Sequence, residues 1–413
     1  MKKIIVISTT IFLAGGVAFS STYWSRGWPG RPGYGEPVIA ASARAAAMAN
    51  TSIANEESSL SLFTNPALLT TLENPRVDLL YNTFYLKEDR TFPVNDSYWG
   101  RMGESVYVAN SNTNNYPTLS FVFPKKRMSF GLGISQVIDY SYKYLEIVRD
   151  NSYIKKNENI IERSGSLSAT TVGIGLKLSE KIRLGASINQ SSGKYDDRVS
   201  SVPFTSGGGT EPANISSQES VSGLSGSNIS AGVSYIVRNR VNISLNYKTE
   251  MKLKGDSTGT IYTGKREITY PSTLGFGIKY QPGNVIPAVL SIDILSTAWS
   301  KLKDTAYTDA GLQDVIEYRI GIEHRFDKGL PVRLGFAVVP HYTDSEVKDN
   351  YLTFGTGYES KKMIVDFAFV FRKAMYTGKD LFVGSHASKS SAFTNDTVID
   401  TTFGVNMGLS YKW

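Results

Sequence analysis

The feature that most limits what this chain can fold into is an alternation of period two that returns along its whole length. The stretch IRLGASIN sets Ile182, Leu184, Ala186 and Ile188 against Arg183, Gly185, Ser187 and Asn189. TLGFGIKY sets Leu274, Phe276, Ile278 and Tyr280 against Gly275, Gly277 and Lys279. EYRIGIEHRF, VRLGFAV and the closing FGVNMGLSYKW repeat the pattern, the last ending on Trp413. Side chains alternate between the two faces of a strand, so each stretch reads as a strand with one apolar and one polar or small face. In a soluble sandwich the apolar face packs inward. In a membrane barrel it meets lipid, and the polar face lines the lumen. Alternation alone does not separate the two.

Other features favour the barrel. The chain opens MKKIIVISTTIFLAGGVAFS, with a basic start at Lys2 and Lys3, an apolar run from Ile4 to Leu13, and small residues at Ala18 and Ser20. That is the pattern of a cleaved secretory signal, predicted over 1–20. There is no cysteine, so neither disulfides nor a lipid-modified cysteine enters. No later stretch offers about 18 consecutive apolar residues, as a spanning helix requires. Tyr 24, Phe 19, Trp 5 and Gly 37 make the chain rich in aromatics and glycine. The formal charge of +7 is small and dispersed, which argues against nucleic acid as a partner.

Fourteen candidate strands follow: 76–87, 116–124, 127–144, 160–178, 181–198, 219–237, 240–255, 260–281, 285–297, 315–326, 331–343, 349–359, 362–373 and 402–413. Short turns (125–127, 179–181, 238–240, 282–284, 327–331, 360–362) alternate with long connections (88–115, 145–159, 199–218, 298–314, 374–401). Short turns on one side and long loops on the other describe an all-β, transmembrane antiparallel β-barrel of about 14 strands, an outer-membrane protein with its turns in the periplasm. The predicted barrel occupies 76–413. The segment 21–75 does not alternate; it carries a small-residue run from Ala40 to Ala49 and then Phe63-Thr64-Asn65-Pro66-Ala67-Leu68-Leu69. Asn65 favours a turn and Pro66 breaks a helix. About eight strands is the size at which wall side chains alone fill a barrel. The wider lumen expected here therefore needs an occupant, and 21–75 is predicted to be a plug inside it.

The run SARAAAMANTSIANEESSLSLFTNPALLTTLENP, with Asn65, Pro66 and Ala67, resembles the N-terminal region of the FadL/TodX family of outer-membrane transporters. Downstream, Tyr270-Pro271, Gly277 to Tyr280, Asp293 and Trp299-Ser300 resemble that family's pattern in the same order, as do YRIGIEHRF, LPVRLGF and IVDFAFVF. The family's usual Leu-Pro is Tyr-Pro here, and 88–115 and 199–218 match nothing in it. The resemblance implies a plugged fourteen-strand barrel for passive uptake of long-chain fatty acids or similar hydrophobic compounds. It also implies contact with outer-membrane lipid and lipopolysaccharide, and a terminal aromatic residue read by the barrel-assembly machinery. A structural or secretion-partner barrel of the same fold, without transport, is the alternative.

Candidate ligand contacts are Phe63, Leu68 and Leu69 beside the Asn-Pro-Ala motif, Trp99 with Tyr98, Met102, Val106 and Tyr107 in a long loop, and Arg319 or Arg333 for a carboxylate head group. Each has a plainer reading: packing of plug on wall, an interfacial aromatic girdle, and pairing among lumen charges. His324, His341 and His386 are scattered without metal-ligand spacing, and no nucleophile signature occurs. The chain is read as a non-enzyme with no cofactor and no metal.

Overall fold

The computed structural model describes residues 34–95, 101–150, 152–205, 209–283, 287–307, 311–326, 330–382 and 395–413. The predicted signal peptide and Trp99 lie outside these. Fourteen strands form one antiparallel sheet that closes on itself. They are β1 (Arg76–Asn95), β2 (Arg101–Lys125), β3 (Met128–Asp139, resumed at Tyr142–Arg149), β4 (Lys155–Lys177) and β5 (Ile182–Pro203). Next come β6 (Asn214–Arg238), β7 (Val241–Lys248, resumed at Met251–Gly259) and β8 (Gly264–Tyr270, resumed at Thr273–Tyr280). β9 is Ala288–Thr297, with Lys303–Asp304 beyond a 3₁₀ turn at Trp299–Lys301. The last five are β10 (Val315–Arg325), β11 (Pro331–Pro340), β12 (Lys348–Glu359), β13 (Met363–Lys379) and β14 (Asn395–Lys412). β14 pairs with β1 from Lys412↔Arg76 to Thr397↔Thr91, so the sheet has no free edge strand.

The wall resolves the ambiguity of the alternation. Leu132, Leu334 and Phe354 are half exposed on the outside, whereas Asp293, Glu323 and Arg333 are buried inside. An apolar belt outside and a polar lining inside is the arrangement of an outer-membrane barrel.

The predicted long loops are corrected. Most of 88–115 is strand, because β1 runs to Asn95 and β2 begins at Arg101; likewise β13 runs to Lys379 and β14 begins at Asn395. Beyond the apolar belt the outward positions no longer need to be apolar. Lys87, Ser111 and Thr113 occupy them. The hydrophobic period vanishes while the backbone ladder continues.

Residues 34–75 lie against the inner wall. Glu36–Pro37 pairs with Ile138 and Asp139 of β3. Two one-turn helices follow, α1 (Ala43–Ala46) and α2 (Ser61–Thr64), and then a 3₁₀ helix, Pro66–Thr71. Ser42 Oγ caps α1 by accepting from Ala45 N at 3.1 Å. α1 packs on β12, β13 and β14, and the 3₁₀ helix on β4, β5 and β6, so the segment crosses the lumen.

Candidate functional site

The lumen is organised around how the segment is seated. Glycines on inward positions make room for it: Gly173 faces Leu62, Gly185 faces Pro66 and Ala67, Gly232 faces Asn65, Gly277 faces Ile53, and Gly321 and Gly335 face Met48 and Ala49. At Gly185 and Gly335 a methyl group would overlap backbone atoms of the segment, so only glycine permits that approach.

Polar side chains of the wall then hold the backbone of the segment. Asp293 Oδ2 accepts from Ser52 N at 2.7 Å and Ile53 N at 2.9 Å. Thr353 Oγ1 accepts from Ala49 N at 3.0 Å and donates to Ala47 O at 2.9 Å. A buried ion network joins the two bodies: Glu323 accepts from Arg44 at 2.8 Å and from Arg333 at 2.7 Å, and Arg333 also reaches Asp366 at 2.6 Å. Lys279 pairs with Glu57. Burial pushes the Glu57 carboxyl up, but the charges of Arg44 and Lys279 outweigh it and hold the group at about 2.

The Asn-Pro-Ala motif is the turn of this segment. Asn65 is fully buried; its amide donates to Ile53 O at 2.8 Å, and its Oδ1 accepts from Ala67 N at 3.2 Å. Pro66, whose missing N–H costs nothing there, opens the 3₁₀ helix. Phe63, Leu68 and Leu69 are buried, Phe63 and Leu69 in a cluster with Leu60, Leu62, Leu80 and Val122, and Leu69 also faces Gly131 and Gly175. Arg319 pairs with Glu317 two residues before it, and its other guanidinium nitrogen is 3.5 Å from Asn50 O. Arg333 is held by Glu323 and Asp366. Both arginines therefore have a carboxylate partner within the protein, although Arg319 Nε is buried without one. Met102 and Val106 face outward, while Tyr107 packs on Phe92 and donates to Asp396 at 2.5 Å, so these three do not share one surface. Among the described residues no group of three or more His, Asp and Glu is arranged to hold a metal ion.

Above the segment the lumen changes character. Tyr34, Tyr140, Tyr195, Tyr270 and Trp299 pack with Leu224, Met251, Leu253 and Ile268. Their hydroxyls are satisfied locally: Tyr140 and Tyr270 lie 3.1 Å apart, and Tyr270 donates to Tyr34 O at 2.8 Å. Beside this cluster the wall is interrupted. The ladder between β2 and β3 stops at Thr118↔Ser135. Farther up, asparagine side chains replace backbone bonds, with Asn112 Oδ1 accepting from Lys143 N at 2.9 Å and Asn110 Oδ1 from Leu145 N at 3.0 Å. Between these points lies a polar cavity of about 320 Å³, lined by Thr113 to Tyr116, Gln136, Asp139 and Ser141, with Gly165 and Ser166 of β4. A larger cavity of about 470 Å³ lies below the segment, at the short-turn end of the barrel.

Arg44, Glu57 and the glycine ring are the functional residues that sequence reasoning missed. The glycines stood in plain view on the polar side of each alternation, at Gly185, Gly277, Gly321 and Gly335, and were read there only as small residues.

A family model described as BamG matches residues 1–391. No curated protein matches the chain in sequence. Among solved structures, a FadL homologue of Pseudomonas aeruginosa aligns over 92% of this chain and 99% of its own, with 15% identity and a TM-score of 0.63. The toluene transporter TodX of Pseudomonas putida aligns over 91% and 98%, with 16% identity and a TM-score of 0.61. The toluene transporter TbuX of Ralstonia pickettii aligns over 91% and 99%, with 17% identity and a TM-score of 0.59. The chain thus shares the fold of these barrels.

Proposed function

Because the chain belongs to the BamG family, we propose that it is an outer-membrane barrel, closed by residues 21–75 as a plug, that serves as a partner of the barrel-assembly machinery. The family name points to that machinery. The observation that carries the reading is the seating of the segment: buried ion pairs and backbone hydrogen bonds tie it to β9, β10 and β12, and across the lumen Asp78 of β1 accepts from Ser59 N at 2.8 Å. Breaking one buried pair costs about 3–5 kcal/mol, which suits a permanent filling better than a gate.

A second reading, uptake of a hydrophobic compound, is favoured by the interrupted β2–β3 ladder beside the aromatic cluster. In it, a long-chain fatty acid or an aromatic hydrocarbon would rest against Tyr140, Tyr270 and Trp299 and leave sideways through the wall. Each buried CH₂ would contribute about 0.8 kcal/mol toward holding such a ligand.

One experiment separates the two. The tagged full-length protein is purified from its native membrane in mild detergent, and the central barrel of the assembly machinery is sought in the eluate. In parallel, uptake of labelled oleate and toluene is followed in cells lacking their own transporter, with an Asn65→Ala/Pro66→Ala variant as the control for leakage. Stoichiometric co-purification without uptake is the expected result. Uptake that the variant alters, with no assembly barrel in the eluate, replaces the first reading with the second.

A further inference from the structure

The cavity of about 470 Å³ at the short-turn end is lined by nine basic and six acidic side chains. The acids are not shared out evenly: Glu323, outside the lining, serves three of the cations, Glu56 accepts from Ser42 N and Ser58 Oγ instead, and Glu73 has no ion pair among the described residues. Six of the cations are paired: Arg44 with Glu323, Arg76 with Asp78, Lys279 with Glu57, Arg325 with Glu323 and Glu359, Arg333 with Glu323 and Asp366, and Lys412 with Glu359. The remaining three, Arg183, Arg238 and Arg240, have no side-chain ion pair or hydrogen bond among the described residues, and Arg183 Nε is buried without a partner. Glu180, whose charge reaches Arg183, is already paired with Lys177 at 2.7 Å.

Arg183 stands near the start of β5, Arg238 at the end of β6, and Arg240 in the tight turn that leads from β6 to β7. All three line the same cavity, so the guanidinium groups border one opening from β5 and from the β6–β7 turn. A guanidinium matches a carboxylate with two parallel N–H donors. Three unpaired guanidinium groups at one opening suit a ligand with several carboxylates, such as an extended polypeptide that carries them on alternate residues of one face. That opening lies at the mouth of the barrel, inside the ring of strand ends. A phospholipid head group reaching it would drag its acyl chains into a polar cavity.

We propose that Arg183, Arg238 and Arg240 are the docking site for an acidic polypeptide segment of a periplasmic partner. This deepens the assembly-partner reading by naming the chemistry of one contact, and it is measured without the machinery, so the two can fail separately.

The test uses the full-length protein in zwitterionic detergent and a fluorescein-labelled peptide of alternating aspartate and glycine, with an asparagine–glycine peptide as reference. Fluorescence anisotropy is expected to show the acidic peptide binding at least tenfold more tightly than the neutral one, with affinity falling as salt rises. Arg183→Gln/Arg238→Gln/Arg240→Gln is expected to remove that preference. Lys126→Gln, in a short turn whose lysine does not line the cavity, is expected to keep it, and heat-shifted migration on gels verifies that each variant is folded. If the triple variant binds the acidic peptide like the parent, the proposal is overturned. It is equally overturned if the substitutions weaken binding only to vesicles containing phosphatidylglycerol and leave peptide binding unchanged, which would assign the arginines to lipid.

Discussion

The lower and upper halves of the lumen are filled by opposite means. In the lower half the inward positions are glycines such as Gly185, Gly321 and Gly335, and a separate stretch of chain supplies the bulk. In the upper half the inward positions are Tyr140, Tyr195, Tyr270 and Trp299 around a buried Arg266 that pairs with Glu219 and Asp304, and the wall packs largely on itself. The same cylinder is filled once by a separate stretch of chain and once mainly by side chains of its own wall. The lower half therefore depends on keeping a separate stretch seated by ion pairs, fit and the cluster of Phe63 and Leu69, whereas the upper half depends on the wall's own side chains, and the two should respond to different perturbations.

Glu323→Gln tests the lower half most severely. It removes the carboxylate shared by Arg44 and Arg333 and is expected to cost about 3–5 kcal/mol, because two buried guanidinium groups lose their common partner. Protease cleavage within 34–75 of the folded barrel should rise with it. Trp299→Ala is the matching change above. It deletes a buried indole stacked on Tyr342 at 4.3 Å and is expected to cost about 3–5 kcal/mol in thermal unfolding, yet leave 43–71 protected, since the tyrosines of that cluster bond to Tyr34 and Gly35, ahead of that stretch. If both variants expose the segment equally, the two halves are one cooperative unit and the contrast fails.

Gly185→Val is smaller in effect. Its side chain would meet the backbone of Pro66 and Ala67, an overpacking expected to cost about 1–3 kcal/mol and to open a measurable conductance in planar bilayers. Asn65→Ala loses the cap of the 3₁₀ helix, worth about 1 kcal/mol, read as a lowered unfolding temperature with conductance unchanged. Acid sharpens the comparison further. Glu57 is depressed from 4.5 to about 2, so its stabilising charge is fully present above pH 4.5 and is lost as the pH falls toward 2. Pepsin cleavage near Phe63 should increase across that window in the parent and already be raised at pH 4.5 in Glu57→Gln.

Much of this was legible before any coordinates. Alternation at IRLGASIN or VRLGFAV is a property of adjacent residues, so strand identity and strand number followed from it; the sense of the faces did not, because a sandwich alternates in the same way, and the closed wall decided it. The motif Asn65-Pro66-Ala67 was recognisable as a turn because asparagine and proline act on their own backbone. The hairpins beyond the apolar belt escaped notice because the only signal read was hydrophobic, and Lys87 or Thr113 on a strand out of lipid carries none.

What the tertiary structure alone decided is who meets whom across the lumen. Arg44 and Glu323 are separated by 279 residues, and Ser52 and Asp293 by 241. Nothing local to either member announces the other. Arg319 and Arg333, proposed in the sequence for a ligand, have carboxylate partners, and Arg183, Arg238 and Arg240 stand out only once the ion pairs among the described residues are traced across the lumen. Periodicity is set by the geometry of one strand and is written locally. Pairing is set by closure of fourteen strands around a folded segment, and closure is a property of the whole chain.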